Sequence, residues 1–183
     1  MSAPAHLFSD KSSELAPFTV RAGYLEVAAD HRFGFVDLTE LIEIELMRAE
    51  IDQGACIAFS THTTCALVIN EWEDGALEDL GRRLQSLFAP ESYYAHDDLT
   101  LRTRNLTSGE RRNGHAHVAQ MIMGGASLTI PVRDGALLLG RWQSVILVEL
   151  DQPRPRTIAL QLMGTSAVPV PPEGRPSMSL PAP

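Results

Sequence analysis

Two cysteines, Cys56 and Cys65, are all that 183 residues contain. That is too few for a disulfide framework, so reduced thiols and a cytoplasmic setting are expected. Met1 to Ser13 is polar and has no apolar h-region, so no secretory leader is expected. On that view the sequon Asn105-Leu106-Thr107 is a chance match. No apolar run approaches the roughly 20 residues that span a bilayer. Positive charge is scarce: 15 Lys and Arg stand against 23 Asp and Glu, for a net charge of −8. This argues against nucleic acid, which needs a Lys/Arg face, though an Arg pair gripping one small phosphate stays open. There is no HExxH, no Cys pair for a structural zinc and no phosphate-cradling glycine loop.

Length and ordinary composition point to one soluble domain. Residues 1–17 read as a polar lead-in and residues 18–165 as the folded part. Residues 166–183 read as a Pro-rich disordered tail, since Ala167 to Pro183 holds six of the twelve prolines. Phe18 to Val27 alternates as a strand does. Asp37, with Glu40 three residues on, signals a helix start. Leu38, Leu41, Ile42, Leu46 and Ala49 form its apolar stripe, and Gly54 is expected to end it. Ala55 to Asn70 reads as a strand pair or one bent strand broken by a polar knot. A second helix is marked by Leu77, Leu80, Leu84, Leu87 and Phe88 and stops at Pro90. Residues 91–112 are charged and irregular, long enough to suggest function. A short helix starts at Asn113 and stops at Gly124-Gly125. Then come strands only: Ser127 to Val132 and Ala136 to Leu139 around the Arg133-Asp134-Gly135 turn, Trp142 to Leu150, and Thr157 to Met163. The expectation is an α+β fold: a single compact domain, mainly antiparallel β-sheet or sandwich, with a few packed helices.

Of the six histidines, four sit in polar knots: His62 in Ser60-Thr61-His62-Thr63-Thr64-Cys65, His96 in Tyr94-Ala95-His96-Asp97-Asp98, and His115 and His117 in Asn113-Gly114-His115-Ala116-His117. Such clusters add nothing to packing, whereas a metal or anionic ligand needs them. His62 reads as a ligand or general acid–base, with Thr63 and Thr64 donating to an anion. The plainer alternative is a hydrogen-bonded histidine at a strand end. For His96 the alternative is a solvated loop. His115 and His117 cannot share a helix face; Met121, four residues on, favours His117 as the one on the core side. Glu149 ends the apolar row Gln143, Val145, Leu147. A buried carboxylate needs a partner, and the alternatives are water or pairing with Arg154 or Arg156. Cys65 reads as a small buried hydrophobe more than a nucleophile. Trp72 and Trp142 read as core or interface residues, and Arg82-Arg83, Arg102, Arg104 and Arg111-Arg112 as solvated charges.

Two segments carry a resemblance. One is His62-Thr63-Thr64-Cys65-Ala66-Leu67-Val68-Ile69-Asn70-Glu71. The other runs from Asn113-Gly114-His115-Ala116-His117 through Gly124, Ser127 to Val132, Gly135, Leu139-Gly140-Arg141-Trp142-Gln143 and Glu149. In these the chain resembles the YjbQ family of secondary thiamine-phosphate synthase enzymes, over roughly residues 18–165. The resemblance implies a homotrimer and a polar site of His62, Asn70, Glu71, His96, His117, Gln143 and Glu149. His115 carries over less dependably than His117. Trp72-Glu73-Asp74-Gly75 departs from the family's pattern, so nothing is transferred there.

The implied activity joins hydroxymethylpyrimidine diphosphate to thiazole phosphate, releasing pyrophosphate. A divalent metal, zinc or magnesium, would stabilise the leaving diphosphate. In that scheme His62, His96 and His117 hold metal or phosphate, Glu149 and Glu71 supply negative charge or orient the histidines, and Asn70 and Gln143 fix the substrate. Two rivals stand: a metal-dependent hydrolase of a small phosphorylated or acyl metabolite, and a non-enzymatic trimeric small-ligand-binding protein.

Overall fold

The computed structural model describes residues 17–166. The lead-in and the Pro-rich tail expected at the two ends therefore lie outside the described residues, apart from Pro17 and Ser166. Within them, every strand pairing is antiparallel. The strands are β1 (Phe18–Val27), β2 (Phe35–Asp37), β3 (Gln53–Ser60), β4 (Cys65–Asn70), β5 (Ser127–Arg133), β6 (Ala136–Leu137), β7 (Ser144–Glu149) and β8 (Arg156–Thr165). The helices are α1 (Thr39–Ala49), α2 (Asp74–Leu87) and α3 (Gly114–Met123). One sheet has the order β1-β8-β3-β5-β6 and the other β2-β7-β4. The expected α+β class and single domain are what is found.

The two sheets share a core. Cys56, Ala58, Ile130, Ile158, Leu160 and Leu162 of the larger sheet pack with Leu67, Val145 and Leu147 of the smaller, closed by Leu38, Ile42 and Leu46 of the α1 segment. The opposite face of the small sheet is covered too. Ala66, Ile146 and Val148 pack against Leu84 and Phe88 from α2 and its end, and against Ala116 and Ala119 of α3. A sheet covered on both faces explains why β7 is an unbroken apolar run ending in Glu149.

Several local expectations are corrected. The tract from Ala55 to Asn70 is two strands that do not pair: β3 belongs to the large sheet, β4 to the small, and residues 61–64 carry the chain across. Gly54 does not end α1. Glu50 does, in the left-handed region at φ 53°, while Gly54 lies in β3. Asp37 stands one residue before the cap position, yet its carboxylate accepts from Thr39 N at 2.8 Å and Thr39 Oγ1 at 2.6 Å. Leu41 and Leu87 are exposed, so each helical stripe is narrower than its apolar spacing implies. α2 begins at a cap the sequence reading passed over, with the Glu73 carboxylate accepting from Gly75 N and Ala76 N. Trp142 and Trp72 are exposed and belong to no core. The Arg133-Asp134-Gly135 turn forms as expected, with positive φ at Asp134 (52°) and Gly135 (75°), the backbone of a tight hairpin.

Candidate functional site

The polar centre lies where the two sheets part, at the Cys65 end of β4, the Glu149 end of β7 and the start of β8. Inward parity on β7 aims Glu149 at the core, and inward parity on β8 aims Arg156 at it from the other sheet. Arg156 Nε donates to Glu149 Oε2 at 2.6 Å, and a second bond joins Arg156 Nη2 to Glu149 Oε1. Neither residue has measurable exposure. Of the alternatives for Glu149, pairing with Arg156 is the one found.

Thr64, in the crossover, ties this pair to its surroundings. Its Oγ1 accepts from Arg154 Nη2 at 2.8 Å and from Arg156 Nη1 at 3.1 Å, and its carbonyl accepts from Arg156 Nη2 at 3.2 Å. A hydroxyl has two lone pairs and one proton, so the two arginines leave the Thr64 O–H free to donate. Arg154 Nη2 also reaches Asp151 Oδ2 at 2.7 Å. The Asp151 carbonyl accepts from Arg32 Nε at 2.6 Å, and Asp151 N donates to Glu149 Oε1 at 2.9 Å.

His62 stands beside this network. Its Nε2 accepts from Thr157 N at 2.8 Å, which puts the proton of the neutral ring on Nδ1. Burial first, then the Arg156 and Arg154 charges, lower its pKa against the opposing pull of Glu149. Thr63 is exposed, unlike buried Thr64. Cys65 is buried, its Sγ 3.0 Å from Ser60 Oγ, and burial raises its pKa, as a packed thiol requires.

The loop over 91–112 is organised rather than simply solvated. A 3-10 turn at Ala95–Asp97 carries His96. Asp97 Oδ1 accepts from Asn113 N and Gly114 N, each at 2.9 Å, and so anchors the start of α3. Asn113, expected as the cap, makes no such side-chain bond; its Nδ2 points toward Asp151 Oδ2 at 3.5 Å. Gly114 is required here, because a Cβ would lie 2.5 Å from Tyr94 Cβ. This anchoring brings the His96 and His117 rings to 4.4 Å between centroids. Arg102 Nη1 lies 3.2 Å from His96 Nε2 and 2.6 Å from Glu110 Oε1, so Arg102 is no free surface charge. Hydrogen bonds from Thr107, then Arg102, hold the Glu110 carboxyl at about 2. Burial, then the neighbouring His96 and Arg102, lower the pKa of His117.

His117 is not the core-side histidine of α3; it is only half-buried. Met121 is exposed, and His115 is the fully buried ring, set edge-on against Phe33 and Tyr94. Neither His115 nitrogen makes a hydrogen bond of good geometry, though the Leu150 backbone is near enough to oppose the lowering of its pKa by burial and by Arg32.

The remaining candidates are elsewhere. Because β4 and β7 are antiparallel, Cys65 faces Glu149 while Asn70 faces Ser144. Asn70, Glu71 and Gln143 therefore sit at the far end of the small sheet, five residues or roughly 17 Å away. They are exposed there; Asn70 Oδ1 accepts from Glu71 N and Gln143 Oε1 from Gly140 N. One chain thus gathers His62, Thr64 and Glu149, with His96 and His117 on the adjoining loop and α3, but not the other three. Among the described residues no three His, Cys, Asp or Glu side chains are arranged to hold a metal ion. The lone pairs of His62 Nε2 and His96 Nε2 already face donors, so this donor set does not fit a resident cation within one chain. Arg154, Arg156, Asp151 and Asp97 are the central residues that the sequence reading left as partners or did not single out. The signal for Asp151, Arg154 and Arg156 was the Asp151-Gln152-Pro153-Arg154-Pro155-Arg156 run just after the buried strand, and Asp97 stood within the His96 knot.

A family model described as UPF0047 protein YjbQ-like matches residues 23–165. A UPF0047 protein of Archaeoglobus fulgidus is 33% identical over 132 residues, 72% of this chain and 93% of that one. The crystal structure of a YbjQ-like protein of unknown function from Sulfolobus solfataricus superposes with a TM-score of 0.71 at 32% identity, covering 81% of this chain and 99% of that one. A hypothetical protein from Aeropyrum pernix gives 0.68 at 31% identity, covering 79% and 98%.

Proposed function

The chain belongs to the UPF0047 YjbQ-like family, and from that premise we propose that it is a thiamine-phosphate synthase-like transferase. The reaction joins a thiazole phosphate to hydroxymethylpyrimidine diphosphate. The thiazole nitrogen forms a bond to the pyrimidine methylene carbon, the carbon–oxygen bond to the diphosphate breaks, and pyrophosphate leaves with the electron pair.

The observation that carries this reading is the convergence of two guanidinium groups on Thr64 Oγ1 beside His62. A leaving diphosphate needs donors fixed before charge develops on it. Three are in place: the free Thr64 O–H, the Arg154 guanidinium edge not used by Thr64 and Asp151, and His62 Nδ1–H. The closed Glu149–Arg156 pair holds Thr64 in position and takes no part in bond making. His96 and His117, with the lowered pKa of His117, form a second polar wall for the substrate. A divalent cation would need donors beyond those that the described residues of one chain bring together. A homotrimer and a cytoplasmic setting belong to the same reading, and a trimer would be the means of bringing Asn70, Glu71 and Gln143 to a neighbour's site. Among the described residues no helix is long and apolar enough to cross a membrane.

The test is to incubate the full chain with both substrates, with and without added Mg²⁺ or Zn²⁺, and follow thiamine phosphate by chromatography. Product is expected from wild type, with Thr64→Val reducing it about tenfold or more and Thr64→Ser retaining it. No product under any metal condition overturns the reading, and ligand binding without turnover would replace it with the binding-protein alternative.

A further inference from the structure

Next to the polar centre lies a cavity of about 260 Å³ lined by Thr107, Gly109, Glu110, Arg111, Asn113 and Arg154. One wall is the loop before α3; the other is the connection from β7 to β8. Arg111, from the loop, and Arg154, from the connection, both line this space. Gly109, at φ +84°, turns the loop and leaves nothing within 4 Å of where its Cβ would sit.

The charges around the cavity do not cancel. Glu110 is engaged by Arg102 and by Thr107 N and Oγ1, Asp151 by Arg154, and Glu149 by Arg156. Arg111 has no carboxylate within 4 Å among the described residues. Its neighbour is the Gln152 amide, whose oxygen, in the orientation that satisfies both groups, accepts from it. That acceptor is neutral and leaves the Arg111 charge uncompensated. Arg154 spends only Nη2 on the protein among the described residues, so its Nε and Nη1 remain available. Arg111 carries an uncompensated charge and Arg154 keeps free donors beside its Asp151 pair, so an anion here would meet net positive charge with geometry that guanidinium forks suit.

We propose that this cavity is a phosphate-binding subsite in which Arg111 and Arg154 clamp a phosphoryl or diphosphoryl group of a small metabolite. It deepens the transferase reading by giving the leaving diphosphate a seat, and rests on that reading only for the identity of the anion. Arg154 belongs to both sites, so an anion held here lies against Thr64 and His62.

The experiment is calorimetric titration of the full chain with inorganic pyrophosphate, and separately with orthophosphate, at low ionic strength. Wild type is expected to bind pyrophosphate more tightly than orthophosphate, and more weakly as salt rises. Arg111→Gln removes an exposed side chain with no structural ion pair and should weaken binding about tenfold or more. Arg133→Gln, on the β5–β6 hairpin, should leave it unchanged. Absence of pyrophosphate binding at millimolar concentration overturns the subsite, as does equal weakening by Arg133→Gln. Pyrophosphate binding that depends on Arg111 without thiamine-phosphate formation keeps the subsite and removes the reaction. Product formation indifferent to Arg111→Gln does the reverse.

Discussion

Arg156 and Glu149 form a bidentate ion pair that joins the two sheets across the edge of their shared core, with both side chains sealed from solvent. A buried pair of this kind gives little net stability over apolar residues of the same size, but breaking it leaves a charge stranded.

The asymmetry makes a double-mutant test sharp. Arg156→Leu strands Glu149 and also deprives Thr64 of two hydrogen bonds. Unfolding in urea should show a loss of about 3–5 kcal/mol. The double variant Glu149→Leu with Arg156→Leu should recover at least half of it. A single variant within about 0.5 kcal/mol of wild type would mean that water already reaches the pair.

Acid sensitivity follows from the imidazoles. His62, His115 and His117 all have pKa values lowered in the folded state, with burial the first cause in each. At high pH both folded and unfolded chains carry these rings neutral, so they contribute no pH dependence. As pH falls through the unfolded value of about 6.5, the unfolded chain takes up protons that the folded chain still refuses. Stability should therefore drop from about pH 6.5 downward, and below about pH 4.5 the depressed Glu110 carboxyl should add a further loss. Urea midpoints at a series of pH values check this. His115→Leu removes the most buried of the three and should flatten the slope; an unchanged slope would assign the effect to His62 and His117.

Asp97 should act on the site through α3. Asp97→Ala leaves Asn113 N and Gly114 N without an acceptor and removes negative charge from a helix N-terminus. The expected cost is about 1–2 kcal/mol. It should also loosen the His96–His117 contact and remove a carboxylate that raises the His117 pKa, so the His117 titration measured by NMR should change. Asp97→Asn should restore part of the stability. An unchanged His117 titration in Asp97→Ala would show that packing alone positions its ring.

What the sequence discloses divides along physical lines. The helical spacing of α1 was legible because Ile42, Leu46 and Ala49 do face the core, whereas β1 forms where its alternation predicts but is exposed along most of its length. The crossing between sheets at residues 61–64 was not, since two successive apolar strands look alike whether or not they pair. His62, Thr64 and Glu149 could be picked out because polar groups beside apolar runs need a reason. Arg156 stayed an alternative because its burial depends on meeting Glu149 across the sheets, which no local pattern encodes. Asn70 and Gln143 joined the same candidate set through resemblance, and antiparallel pairing then set them at the opposite end of β4 and β7. His115 and His117 were ranked by Met121, whose exposure depends on how α3 rolls on the small sheet.

That roll is fixed at Gly125, which supplies the last prediction. Gly125 O accepts from Leu67 N at 2.8 Å, binding the end of α3 to the middle of β4. A Cβ on Gly125 would lie 2.3 Å from Leu67 O, an atom that cannot move without disturbing the pairing of β4 with β7. Gly125→Ala should cost at least the upper part of the about 1–3 kcal/mol range for overpacking. Because α3 carries His117, the variant should also alter the His117 titration seen by NMR. Gly23→Ala is the matched control: it lies in β1 with nothing within 4 Å of the added methyl. Losing a strand glycine there should leave stability unchanged or raise it by about 0.5–1 kcal/mol. Equal urea midpoints for the two variants would mean that α3 can shift off β4 at no cost, and the placement of His117 against His96 would then need another anchor.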